Sequence, residues 1–282
     1  MKILTANEST QKQGGGWSWL ANFRKGMGDL ITDDYSEADI YFVPSASMIK
    51  PELAEQAKAD GKKVVLRTDN ALKHSRNGGK GMARMSRIAE IADLVIYQCV
   101  WAKDYLHDYL GKPNARVVYN GVDTDIFRPE GSHIVMGNDE PVYLYSSAAK
   151  GETKRWEWAW WRYQQYQKEN KNAKLLITGN ISTPVMENNF DFFNGERYTF
   201  LGMITNPHDM AEVYRGCDYL FAVYENDCYS NTYLEALACG VELIDIHMSG
   251  GTPELLKNWK RGVEYNSIER MCNDYKKALV GL

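Results

Sequence analysis

The sequence predicts an α/β chain built as two successive open parallel sheets. Short apolar strands alternate with amphipathic helices along the whole length. The alternation runs through one series, pauses in a polar stretch at 130–140, and begins again. The 282 residues are about two domains' worth of chain.

The elements follow in order. Lys2–Ala6 reads as a short strand running into Gln13-Gly14-Gly15-Gly16. Trp17–Met27 has helical spacing, with Trp17, Leu20, Phe23 and Met27 on one face. Asp39–Val43 is a strand stopped by Pro44, and Pro51–Ala59 a helix with proline in its first turn. Strands at Val64–Arg67, Leu94–Gln98 and Arg116–Tyr119 alternate with helices at Met82–Ile91 and Ala102–Leu110. The second series has strands at Val142–Tyr145, Leu175–Thr178, Tyr198–Leu201, Tyr219–Val223 and Leu243–Ile246. Its helices are Arg155–Glu169, Asp209–Arg215, Asn231–Cys239 and the closing Ile268–Val280. Parallel strands need crossovers, and ligands of such sheets bind beyond the carboxyl ends of the strands. The first unit is expected over residues 1–128 and the second over 129–282, facing each other across a cleft.

Composition removes several classes. Hydrophobic residues make up 44% and charged residues 25%, which rules out a disordered or collagen-like chain. The apolar run Tyr219–Tyr224 is far shorter than the ~20 residues that span a bilayer. The opening MKILTANEST turns polar too soon for a secretory signal. The five cysteines are scattered and include no C-x-x-C pair, which suits a cytoplasmic protein with its thiols packed as small hydrophobes. A net charge of −4 argues against a protein that is basic overall. The five histidines show no ligand spacing, so no metal is expected.

Two segments suggest chemistry on their own residues. Gly14, Gly15 and Gly16 lie between the first strand and the first helix, where residues without Cβ let backbone N–H groups approach an anion. A plain turn explains them equally well. The segment YENDCYSNTYLEALACG (224–240) places an acid, Asp227, after an apolar strand. Ser230 is a plausible N-cap there, and the helix that follows carries Glu235. Free amides around Tyr229, Ser230, Asn231 and Thr232 can receive a phosphate. Glu235 leans back toward that tip and can reach a ribose hydroxyl. The plainer alternative is a capped helix with a solvated glutamate.

This segment resembles the acid-seven-acid signature of the retaining GT-B glycosyltransferases, the group of sucrose synthases and bacterial mannosyltransferases. Glu235-Ala236-Leu237-Ala238-Cys239-Gly240 keeps the pattern, while Asp227 stands where a glutamate is usual and Glu225 competes for that place. Asn120-Gly121-Val122-Asp123 with Phe127 and Pro129, and Gly250-Gly251-Thr252-Pro253-Glu254, fall in the same order as in that group. The resemblance implies two Rossmann-like domains and transfer of a sugar from a nucleotide-sugar, UDP-linked, to an acceptor hydroxyl with retention. No cofactor beyond that co-substrate is implied. Glu235 would hold the donor ribose, the two backbone clusters would surround the diphosphate, and Lys150 and Lys154 would neutralise it. Asp227 would contact the sugar, as would a first-domain histidine, for which His74 is the candidate.

On the acceptor side Arg67, Asp69 and Arg76 are candidates. Eight cations fall between Lys62 and Arg87 (Lys62, Lys63, Arg67, Lys73, Arg76, Lys80, Arg84, Arg87) with Asp69 as the single acid. That density suggests an anionic acceptor: a phosphorylated or lipid-linked saccharide, or DNA carrying a hydroxymethylated base. A solvated face is the bland alternative, and a sugar-nucleotide-binding protein without catalysis the rival function. Asp123-Thr124-Asp125 spells D-x-D, a metal motif in other transferases, and is discounted because it lies inside the N-G-V-D segment. Trp156, Trp160 and Tyr163 share one helical face, expected to be core.

Overall fold

The structure, a computed structural model, describes residues 1–6, 15–68, 80–136, 140–147, 154–179 and 197–282. The first sheet has five parallel strands in the order β1-β2-β3-β4-β5: Ile3–Leu4, Ile40–Val43, Lys63–Arg67, Leu94–Tyr97 and Ala115–Val117. Its helices are α1 (Gly15–Met27), α2 (Pro51–Ala59), α3 (Lys80–Ile91) and α4 (Val100–Leu106). The second sheet is also parallel, in the order β10-β9-β6-β7-β8. Its strands are β6 (Val142–Ser147), β7 (Lys174–Gly179), β8 (Tyr198–Gly202), β9 (Tyr219–Phe221) and β10 (Glu242–Ile244). The helices of this half of the chain are α5 (Trp156–Glu169), α6 (Pro207–Arg215), α7 (Asn231–Ala238), α8 (Thr252–Trp259) and, last, α9 (Ile268–Leu279).

Strand order explains which helix lies where. Beyond β1, Ile31 bridges Ile3 in parallel, so the chain leaves β1 in one direction for Ile31 and later returns in the other through β2 to β5. Right-handed crossovers then place α1 on one face and α2, α3 and α4 on the other. The side chains agree. Ile40, Phe42, Val65, Leu94 and Ile96 pack toward α1, whereas Tyr41, Val43, Val64, Leu66, Val95 and Tyr97 pack toward α2–α4. Burial on both faces is why these strands read as unbroken apolar runs. In the second sheet the chain moves outward from β6 through β7 to β8, then back past β6 to β9 and β10. The reversal lies between β6 and β9, the place where an open α/β sheet offers a crevice.

The last helix crosses over to the first half of the chain. Helix α9 packs on the first sheet: Ile268, Met271, Cys272, Tyr275 and Leu279 join Trp19, Leu20, Phe23 and Phe42 in one core. Tyr275 meets Phe23 edge-on at 5.1 Å and tilts against Trp19 at 5.5 Å. The apolar face of α1 must be covered, and the last helix covers it. Residues 126–134 are tied to α6: Arg215 bonds the carbonyls of Ile126, Arg128 and Ser132, and the Ile134 amide donates to the Glu212 carbonyl. Helix α8 escapes a reading by apolar spacing, since it starts inside the Gly-Gly-Thr-Pro-Glu loop.

The Trp156, Trp160, Tyr163 face behaves as core, with Trp156 and Tyr163 buried and Trp160 half-buried against them. Trp158 and Trp161 face outward, 41% and 47% exposed. All five cysteines are buried. Among the described residues no helix is long and apolar enough to cross a membrane.

Candidate functional site

The second sheet's reversal brings two chain segments together at the carboxyl ends of its strands. Lys154 follows β6, and Asp227 and Ser230 follow β9. Lys154 Nζ lies 2.9 Å from Asp227 Oδ2 and 3.7 Å above the Tyr224 ring. Tyr224 in turn stacks on Tyr233 of α7 at 5.0 Å, and its amide donates to Tyr233 Oη at 2.9 Å. A buried aromatic pair thus fixes the floor on which the cation rests. Helix α7 begins as expected: Ser230 is extended and its Oγ accepts from the Tyr233 amide. That leaves the other first-turn amides without intrahelical partners.

Glu235, on α7, is half-buried. It retains partial exposure, yet burial dominates its titration and pushes its carboxyl up to about 7. Tyr214 Oη of α6 donates to Glu235 Oε2 at 3.3 Å, which favours the charged form without offsetting the desolvation. A carboxylate has about four acceptor sites, so this one has capacity for further donors.

The start of α1 reaches the same place. Asn231 Nδ2 donates to the Gly15 carbonyl at 3.1 Å, joining α1's start to α7's start. Behind them runs a buried polar chain. Asn120 Nδ2 lies within hydrogen-bond distance of Gln98 Oε1 (2.7 Å), the Tyr229 carbonyl (2.9 Å) and Asn231 Oδ1 (3.0 Å). Arg67 donates to Asn120 Oδ1 and to the Pro44 carbonyl. A second tie is Glu254 of α8. Its carboxylate accepts from the Val100 and Trp101 amides, at 2.9 and 2.7 Å, and from Tyr119 Oη at 3.1 Å. One acidic side chain from the second half thereby caps a helix of the first.

The glycines of these segments have a steric reason. A Cβ on Gly250 would strike the Asp227 carbonyl, and one on Gly251 the Cys228 carbonyl. The Gly251 amide donates to the Asp227 carbonyl at 2.8 Å, so the acidic loop is held from behind. In the N-G-V-D segment a Cβ on Gly121 would strike the Ser267 carbonyl, where Val122 and residues 266–268 exchange hydrogen bonds.

The expected site residues therefore divide. Gly15, Asn231 and Ser230 are brought together around the α7 tip, and Lys154 and Asp227 stand as an ion pair on the same side. Gly16 sits in the first turn of α1, near Met48. Thr232 is half-buried in the first turn of α7. The Tyr229 side chain is buried and accepts from Asn258, and its carbonyl accepts from Asn120. Arg67 is corrected too. It is 2% exposed, bonded internally and stacked over Trp19 at 3.9 Å, so it braces the interior instead of meeting an acceptor. Gly14, Asp69, His74, Arg76 and Lys150 lie outside the described residues.

Among the described residues, several cations of the 62–87 stretch have partners. Lys63 pairs with Asp93, Arg87 with Glu52 and Glu55, and Lys62 bonds the Ala38 carbonyl. Lys80 and Arg84 are exposed, and Lys73 lies outside the described residues. Asp123 and Asp125 both pair with Lys25, which gives the D-x-D sequence an ion-pair role. Among the described residues no group of three or more His, Cys, Asp or Glu is placed to hold a metal. A depression of about 660 Å³ lined by Asp39, Lys62, Lys63 and the last residues of the chain lies at the amino ends of the first sheet's strands, away from this site. Tyr214, Asn120 and Glu254 had no role assigned from sequence. Asn120 and Glu254 stood inside quoted motifs, while nothing in the sequence marks Tyr214.

The fold has solved counterparts, and part of the chain matches a family model. Residues 140–279, just under half of the chain, match the family described as glycosyl transferases group 1, so the second sheet and its helices carry that family's pattern. The whole chain superposes on HepE of Anabaena in complex with UDP-glucose, with a TM-score of 0.76, 12% identity and 100% of both chains covered. The complex of HepE with UDP and glucose gives a TM-score of 0.73 at 12% identity, again over both whole chains. Sucrose-phosphate synthase of Thermosynechococcus elongatus gives 0.57 at 14% identity, over 86% of this chain and 69% of that one. At such identities the likeness establishes the fold. No curated protein matches the chain in sequence.

Proposed function

We propose that the protein is a retaining glycosyltransferase that moves a sugar from a UDP-linked donor to an acceptor hydroxyl. The observation that carries this reading is the gathering, at the second sheet's reversal, of a cation, a capped helix tip and an under-satisfied carboxylate. The three suit the three parts of a nucleotide-sugar. Lys154 and the first-turn amides of α7 take the diphosphate, Glu235 takes the ribose hydroxyls, and Asp227 faces the sugar. The solved complexes of the HepE fold with UDP and UDP-glucose support the choice of base.

In this reaction the bond between the anomeric carbon and the diphosphate oxygen breaks as the acceptor oxygen bonds to the same face of that carbon. The departing diphosphate takes the acceptor's proton, so no separate base is needed. Negative charge grows on the leaving group in the transition state, where a fixed ammonium and aligned amides are most effective. Lys154 must then leave Asp227 for the diphosphate, freeing the Asp227 carboxylate to accept hydrogen bonds from sugar hydroxyls.

The test is a thermal-shift panel of UDP-, GDP-, ADP- and dTDP-sugars followed by donor hydrolysis. A bound donor at 100 times its dissociation constant adds about 2.7 kcal/mol of stability. Lys154→Ala should lower hydrolysis about tenfold or more through lost charge-assisted bonds. Near-normal turnover in both Lys154→Ala and Glu235→Ala would overturn the assignment.

A further inference from the structure

The Glu235 carboxyl has little support. Among the described residues its hydrogen-bond partner is Tyr214, and no cation bears on its carboxyl. The ionisable groups around it are neutral ones: Tyr214 on α6, Tyr224 beyond β9, and Cys239 at the end of α7, with Arg215 acting on Cys239. The Tyr214 hydroxyl contacts Oε2, which leaves Oε1 for a ligand.

The tyrosine is held firmly. Its side chain is buried, and its ring meets Phe127 edge-on at 6.1 Å. The next residue, Arg215, is clamped to three carbonyls of the segment joining the two sheets. Burial raises the Tyr214 phenol well above its ordinary range, so it stays a donor at every pH of interest. A buried hydroxyl on a fixed ring is a rigid reference point for a carboxylate at the end of a flexible side chain.

We infer that Tyr214 is a positioning residue of the donor site: its hydroxyl anchors one oxygen of Glu235 and so presents the other to the vicinal hydroxyls of the donor ribose. This rests on the nucleotide-sugar reading above. Tyr214 does not touch the reacting atoms; it acts through Glu235. Two consequences follow from its being a donor to an otherwise unsupported carboxylate. It orients the side chain, and it biases the carboxyl toward the ionised form that accepts from two hydroxyls.

The experiment compares wild type, Tyr214→Phe and Glu235→Gln. Tyr214→Phe keeps the ring and removes the hydroxyl. In the unliganded protein, side-chain carboxyl NMR of glutamate labelled with carbon-13 follows Glu235, whose signal is identified by its absence in Glu235→Gln. Tyr214→Phe should move the titration midpoint upward by about half to one pH unit. UDP calorimetry across the same pH range gives the functional side. At pH 7 Tyr214→Phe should bind UDP about three- to tenfold more weakly, and the deficit should shrink, to the part owed to orientation alone, as the pH rises and the carboxyl ionises. Glu235→Gln should bind UDP weakly with little dependence on pH over that range.

A Tyr214→Phe protein with the wild-type midpoint would overturn the inference, as would a loss of UDP affinity equal at every pH, which marks a merely structural role. If the midpoint moves but UDP binds neither wild type nor variant, the nucleotide-sugar reading has failed and takes the ribose role with it. If UDP binds wild type and the midpoint stays in place, the nucleotide-sugar reading survives and the role of Tyr214 does not.

Discussion

Replacing Glu235 with glutamine should make the unliganded protein more stable in alkaline solution and leave it unchanged in acid. The carboxyl titrates near 7 in the fold against an ordinary value of 4.5, so the folded state binds its proton more tightly than the unfolded chain does. Below about 4.5 both states are protonated and glutamine gains nothing. Between 4.5 and 7 the unfolded chain ionises first, and wild type loses stability as the pH rises. Above 7 the loss is complete, with a ceiling of about 3 kcal/mol for a fully desolvated group. Glu235 keeps some solvent contact, which reduces the expectation to about 1–2 kcal/mol. Glutamine retains the shape and still accepts from Tyr214. Urea unfolding at pH 5 and pH 8.5 reads the difference directly. A Glu235→Gln protein no more stable than wild type at pH 8.5, or stabilised equally at pH 5, would refute the buried-carboxylate account. Saturating UDP should reverse the order at pH 8.5, because the ligand supports wild type more than the variant.

Three further substitutions probe the joints between the sheets. Glu254→Gln removes the charge that accepts from two α4 amides and Tyr119, and should cost about 2–3 kcal/mol in urea unfolding; a change below about 0.5 would show the cap to be idle. Asn120→Ala leaves Gln98, the Tyr229 carbonyl and Arg67 without their shared partner, for a loss of about 2–4 kcal/mol, read by thermal or urea unfolding. Gly251→Ala drives a methyl into the Cys228 carbonyl. It should destabilise by about 3 kcal/mol or more and weaken UDP binding by shifting the Asp227 loop, whereas unchanged melting and UDP affinity would deny that close contact.

Much of the candidate site was legible because its parts are local. Ser230 as cap, the acid-seven-acid spacing and the glycines of two tight loops each express a requirement of a few neighbouring residues, and in the structure Ser230 caps the helix that Asn231 begins and Glu235 belongs to. Arg67 was not legible. A guanidinium at a strand end looks the same in sequence whether it faces a ligand or is buried over Trp19 and paired with Asn120. The pairing within the cationic stretch was not legible for a related reason, since Glu52, Glu55 and Asp93, which pair with Arg87 and Lys63, come from elements that chain order does not place beside them.

What the sequence determined alone was the alternation of strand and helix, the parallel sheets it implies, and the identity of the helix tip with its glutamate. Those rest on hydrophobic period, capping and steric rules that act within a few residues. Only the tertiary structure decided that α9 covers the first sheet, that Glu254 caps a helix from the other half, and that Tyr214 meets Glu235. Each of those joins residues far apart in the chain, and what selects them is the need to cover an apolar face or pair a buried polar group, which appears only once the elements have packed.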